Sequence, residues 1–411
     1  MILSRMLRLG LFGTGISLAM AAGYQPAAAQ QTVSPAFGKL IIASEDALKK
    51  GQIAVATRDV NAAAELPGNT AYENSVVAQL RGAIASQSGD YGAAIASYTS
   101  QINAGGLSPA ETMQRIAAIT TDYFSEKNYA QAAVWADKYF RQGGSDPAFK
   151  PVQIQAHYYS GDYPTAARLE QAAINAKIKA RQTPTEDEFN LLYSCALDEK
   201  DTDGATAVLK QMVIYYPKPE YWANLIGNVT NADGFDQDRL EYDAGLLQIA
   251  TKSLTATADY MTLVQTALQG GHSGEALKLF DQATAAGLFG TGSPADVSRE
   301  QRLRALILKT VDQDKAAEKT NLAAANTDGD EAATLGYDLV GLGQPDQGIA
   351  LLEKAQSMDV KLPDVDKLRL AEAYVEVGRN DDAKKTFASV GGTTGTAGLA
   401  ELWLLHLNQK A

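Results

Sequence analysis

Few residues in this 411-residue chain are of types that do chemistry, and they are dispersed. The single cysteine, Cys195, lies in LLYSCALDE beside Leu192 and Ala196. A reactive thiol needs a basic neighbour or a helix N-terminus, and neither is close in sequence, so a buried, inert thiol is expected. One cysteine also rules out an intramolecular disulfide. The three histidines, His157, His272 and His406, lack an i, i+4 histidine partner, and with so few soft ligands a Cys/His metal cage is not expected. His406, near the end of the last apolar run, suits a helix C-terminus. GGTTGTAG, from Gly391 to Gly398, lacks the Lys-Ser/Thr ending of a phosphate loop and a preceding strand, so it reads as a linker. Asp233, Asp236, Asp238 and Glu241 could gather Ca²⁺, but the glycine and spacing of an EF-hand loop are missing, which leaves a solvated loop. Asn228-Val229-Thr230 matches an N-glycosylation acceptor. No acid stands isolated within an aromatic cluster, as a glycan-cleaving site would require. No catalytic residue, metal or cofactor is expected.

The elements that carry these residues are helices. From Ala36 onward apolar runs, rich in alanine and leucine, alternate with breaks, and sustained β alternation is missing. Tyr260 to Phe289 shows the unit: Tyr260, Leu263, Val264 and Ala267 share one helical face, Gly270 and Gly271 interrupt, and Ala276, Leu279, Phe280 and Ala283 share the next. Gly51, Gly89, Gly161, Gly271, Gly343 and Gly378 each stand between two such runs, where a left-handed glycine can end a helix. Asp90, Asn128, Asp162, Ser273 and Asn380 follow as candidate caps, and Pro164 and Pro345 fall in first turns. The second helix of a hairpin opens with a small residue and a large one a turn later: Ala94 and Tyr98, Ala205 and Leu209, Ala276 and Phe280, Ala383 and Phe387. One hairpin cannot bury both faces, whereas a row can.

These residues resemble the tetratricopeptide repeat, whose period is about 34 residues. Leu80-Arg81-Gly82 with GDYGAAIASY carries its glycine, alanine and aromatic positions. Phe189, Leu192, Ala205, Leu209 and Pro217 form a second set, and Trp222 and Leu225 open the next. Leu335, Gly336, Leu352 and Ala355, then Leu370, Tyr374, Gly378, Ala383 and Phe387, form two more. The resemblance implies an all-α, right-handed α-solenoid of antiparallel helix pairs, about ten of them, with a C-terminal capping helix from Ala397 to Leu407. Trp403, Leu404 and Leu407 are expected to fold back on the last pair. Longer loops at 231–238 and 287–296 suggest an N-terminal solenoid over 36–286 and a C-terminal one over 295–411, continuous with it or separate. Val297–Ala325 is expected to be a helix pair with few signature residues.

In that register Gln155, Tyr158, Tyr159, Asn190, Ser194, Gln265 and Gln269 line the first-helix groove. Amide side chains can pair with a peptide backbone, and tyrosines add rigid apolar area. The lysine-and-arginine clamp that some of the family use for peptide C-termini is not apparent. Formal net charge is −12, which disfavours nucleic acid and anionic membranes as partners. Residues 1–29 read as a signal peptide: Arg5 and Arg8, an apolar run to Ala22, and Ala27-Ala28-Ala29 before Gln30, with 30–35 a linker. A periplasmic location follows, without membrane insertion once the signal is removed. The segment Phe189–Phe289 is similar to periplasmic repeat proteins that accompany TonB–ExbB–ExbD complexes, which implies a protein or peptide partner in the envelope. The competing expectation is a helical-solenoid enzyme or ligand-binding module acting on cell-wall material, which would show a deep cleft around a buried acid.

Overall fold

The computed structural model describes residues 33–409, and within them it is helical throughout, apart from turns and loops. The expected signal peptide lies outside the described residues. The chain packs as two compact units: one up to Pro184 together with Asn190–Lys200, the other Thr185–Phe189 with Asp201 onward.

In the first unit, helices α1 (Pro35–Lys49), α2 (Ile53–Ala64), α3 (Ala71–Ser88), α4 (Tyr91–Ala104), α5 (Pro109–Ser125), α6 (Tyr129–Arg141), α7 (Lys150–Tyr159) and α8 (Tyr163–Lys179) each pack on the next. Helix α9 (Glu186–Asp198) runs through the division. All six expected break glycines are left-handed, with φ between +70° and +86°. Four further turns do the same without glycine, at Lys127, Arg181, Lys200 and Lys252. Asp90, Asn128 and Asp162 cap α4, α6 and α8 by accepting the N–H of the residue three positions on. Gly82 on α3 lies against Tyr98 on α4, where a Cβ would come within 2.6 Å of the ring, so this glycine sets the α3–α4 spacing.

The second unit holds α10 (Thr202–Tyr215), α11 (Pro219–Thr230), α12 (Gln237–Ala250), α13 (Thr257–Gln269), α14 (Ser273–Ala285), α15 (Pro294–Ala324), α16 (Gly329–Gly341), α17 (Pro345–Ala355), α18 (Pro363–Glu376), α19 (Asn380–Phe387) and α20 (Thr396–Leu407). Three expectations need correction. Residues 297–325 are not a pair but part of one 31-residue helix, α15, because no glycine or proline interrupts the chain between Pro294 and Ala324. Ser273 does not cap α14: His272 takes the N-cap position, and the Ser273 hydroxyl donates to Asp314 Oδ2 (2.6 Å). Arg379, not Asn380, precedes α19. Helices α14 and α16 meet backbone to backbone, since a Cβ on Gly341 would sit 2.5 Å from the Glu275 nitrogen.

Helix α20 does more than cover the last hairpin. It packs on α18 and α19 and also on α10, α11 and α12. Leu399, Ala400, Leu402 and Trp403 are buried. The two glycine-bearing loops meet beneath it: the Asp236 amide donates to the Thr394 carbonyl (2.9 Å). That contact gives the lengthened 231–236 loop a packing role.

Candidate protein-docking surfaces

The expected groove residues divide between the units. Gln155, Tyr158 and Tyr159 lie on α7 and Asn190 and Ser194 on α9, in the first unit, while Gln265 and Gln269 lie exposed on α13 in the second. Within the first unit the ends of α7 and α9 come together. The Tyr158 hydroxyl donates to Asp198 Oδ2 (3.2 Å) and lies against Ser194. Partial burial, with Asp198 beside it, raises the Tyr158 pKa. Ser194 also donates to the Asn190 carbonyl one turn back (2.8 Å). Gln155 is half-buried and the Asn190 side chain exposed.

Sequence reasoning missed the rings that join this corner. Tyr158 and Tyr159 stack edge-on at 5.4 Å, and Tyr158 meets Tyr163 at 5.4 Å. Tyr159 meets Tyr129 at 5.0 Å, and Tyr129 meets Phe124 at 5.1 Å. The result is a continuous five-ring ladder along the edge where first helices turn into second helices. Tyr159, at its centre, is 48% exposed, Tyr129, Tyr158 and Tyr163 are half-buried, and Phe124 is the buried foot. A signal was present: Tyr91, Tyr129 and Tyr163 each occupy the first position of a second helix, directly after the cap.

The second unit presents a different arrangement. Arg369 Nε donates to Asp243 Oδ1 (3.1 Å), and the Asp243 side chain is fully buried. Tyr242 donates to Glu275 Oε2 (3.1 Å). Tyr337 and the Trp403 indole donate to Glu372 Oε2 (3.3 Å) and Oε1 (3.2 Å). His272 sits edge-on to Tyr337 at 5.1 Å, with Nε2 3.4 Å from Arg369 Nη1. The reading that no acid stands within an aromatic cluster is thus overturned for Glu275 and Glu372, whose ring neighbours come from helices far apart in sequence. Burial pushes the Glu275 carboxyl up to about 7, with Lys278 opposing. Burial, reinforced by Asp243, holds Glu372 well above the carboxylate range. Burial and then Arg369 press His272 down to about 3. Both carboxyls are packed in: Glu275 is 2% exposed and Glu372 5%. A cavity of about 70 Å³ in this unit is bordered by Gly271, Asp314, Glu331 and Asp338, smaller than the roughly 300 Å³ and upward of small-molecule sites.

The remaining candidates resolve as packing. Cys195 is buried, and burial raises its thiol to about 11. His157 is held between Asp162 Oδ2 (2.8 Å) and Asp137 Oδ1 (3.1 Å). His406 lies against the Trp222 and Trp403 rings, and burial lowers its pKa. Asp236 pairs with Arg239 at 2.9 Å, and no group of carboxylates and histidines among the described residues is placed to hold a metal. The Asn228 amide donates to Thr206 Oγ1 (2.9 Å).

No family model and no curated protein matches the sequence. Solved structures similar in fold include a tetratricopeptide repeat protein from Parabacteroides merdae, at 14% identity and a TM-score of 0.36, over 66% of this chain and 100% of that one. Two others are yeast Tom70, at 13% and 0.24 over 90% and 94%, and the maize pentatricopeptide repeat protein PPR10, at 15% and 0.30 over 89% and 56%. Among the described residues the chain is built of helices joined by tight turns, many of them set by left-handed glycines, and within each unit successive helices pack together.

Proposed function

We propose that the chain is a non-catalytic scaffold of the bacterial periplasm that binds a protein or peptide partner in the cell envelope, in association with energy-transducing transport. The observation that carries this reading is the α7–α9 corner, where amide and tyrosine side chains stand open on a rigid helical frame. Such surfaces give affinity through backbone pairing and flat apolar area. The basic character of the first residues and the resemblance of Phe189–Phe289 to TonB-associated repeat proteins support the envelope assignment. Glu275 and Glu372, two buried acids set among aromatic rings, are closed off by Tyr242, Tyr337 and Trp403.

The test is photo-crosslinking in the native envelope followed by mass spectrometry, comparing wild type with Tyr158→Ala/Asn190→Ala. The double variant is expected to lose the crosslinked partner while keeping its far-UV helical signal. Unchanged crosslinking would move the binding surface elsewhere, and accumulation in the cytoplasm would remove the periplasmic assignment.

A further inference from the structure

We infer that the turn edge of the first unit is a docking strip for a basic segment of a partner protein, whose arginine or lysine side chains lie on the tyrosine ladder. The inference rests on the scaffold reading above and names the chemistry of its partner. Three observations lead to it.

The first is the ladder itself. Tyr129, Tyr159, Tyr158 and Tyr163 are in ring contact and none is fully buried. Rings needed only for packing between hairpins would be covered by the next helix, as Phe124 is at 7% exposure. A row of partly open aromatic faces is a surface on which planar or cationic groups rest well.

The second is the charge around it. The turns that bear or border the rings carry Glu126, Asp162, Asp198 and Glu199 against Lys127 and Lys200. Asp198 is exposed and already accepts the Tyr158 hydroxyl, so a carboxylate stands beside the ladder with lone pairs to spare. The whole chain is acidic as well, at −12. An acidic partner would be repelled from this edge and a basic one drawn to it.

The third is that the rings are unclaimed by cations. Elsewhere among the described residues the chain places its own lysines and arginines over aromatic faces: Lys138 over Trp135 at 4.2 Å, Lys150 over Phe140 at 4.7 Å and Arg379 over Tyr374 at 4.4 Å. No such contact occurs on a ladder ring among the described residues. The geometry is therefore used internally and left open where the rim is acidic.

The experiment uses the full chain and fluorescein-labelled peptides of alternating arginine and serine, or alternating glutamate and serine, read by fluorescence anisotropy. The arginine peptide is expected to bind, more weakly at about 0.3 M salt, and the glutamate peptide not to bind. Tyr129→Ser/Tyr159→Ser, which alters no charge, is expected to weaken arginine-peptide binding about ten-fold, as loss of two cation–π contacts would. Tyr159→Phe, which keeps the ring, is expected to bind as wild type. If the serine double variant loses helicity, Tyr159→Ser alone, at the most exposed ring of the ladder, replaces it with the same expected direction. Undiminished binding by a folded serine variant would overturn the inference, showing general acidity alone at work. Equal binding of the glutamate peptide would overturn it too, as would self-association of the wild type that Tyr159→Ser abolishes, since the strip would then take a second copy. If the peptides fail while the envelope crosslink is still lost in Tyr158→Ala/Asn190→Ala, the scaffold reading stands and only the basic partner falls.

Discussion

Glu275 shows how much a single residue of this chain depends on its surroundings. In sequence it is one acid in the first turn of α14. In the fold its carboxyl is buried against Tyr242, and its pKa rises from an ordinary 4.5 to about 7. A carboxyl whose folded pKa is raised stabilises fully below its unfolded value, and that contribution is lost as pH rises through the folded value. Between pH 5 and 8, then, Glu275 alone makes the fold less stable as pH rises. His272 acts oppositely: pressed from 6.5 to about 3, it supports the fold above 6.5 and costs stability as pH falls below. Glu275→Gln isolates the first effect. Relative to wild type, the variant should gain about 1–3 kcal/mol between pH 5 and 8, measured by urea unfolding at each pH; a constant offset would mean that the carboxyl never titrates in this range. Packing makes an equally local prediction. Ala276 is fully buried, and Ala276→Leu should cost about 1–3 kcal/mol by overpacking; an unchanged melting temperature would contradict the hairpin register.

At the scale of elements, hairpin existence was legible and hairpin detail was not. The six break glycines announced their turns because few other residues tolerate φ near +80°. Lys127, Arg181, Lys200 and Lys252 adopt the same region with nothing in their type to announce it. Caps misplaced by one residue at Ser273 and Asn380 reflect how little separates neighbouring cap positions energetically. The α14–α16 crossing rests on glycine at closest approach, so Gly341→Ala should drive a Cβ against the Glu275 backbone and cost about 1–3 kcal/mol. Thermal unfolding checks this; tolerance of the methyl group would show that the two helices can slide apart. The candidate site was legible in part for the same reasons. Tyr158, Tyr159 and Ser194 could be placed on first helices by period, but the ladder needed rings from two successive hairpin turns, which period alone does not bring together.

At the scale of the whole molecule the C-terminal helix matters most. Trp403 is 3% exposed, stacks on Phe387 at 5.6 Å and donates to Glu372. Trp403→Ala should cost about 3–5 kcal/mol and leave Glu372 short of a partner; denaturation that leaves stability unchanged would show α20 to be a loose appendage. The sequence by itself determined that the described residues form helical hairpins, because alanine-rich periodic runs punctuated by left-handed glycines satisfy their backbone hydrogen bonds locally and bury a face only by packing on their neighbours. Only the tertiary structure decided that α20 would reach α10, α11 and α12, and that Asp243, Glu275, Arg369 and Glu372 would share one interior. Those contacts join residues more than a hundred positions apart, and the desolvation that gives them their character arises only when the distant helices close around them.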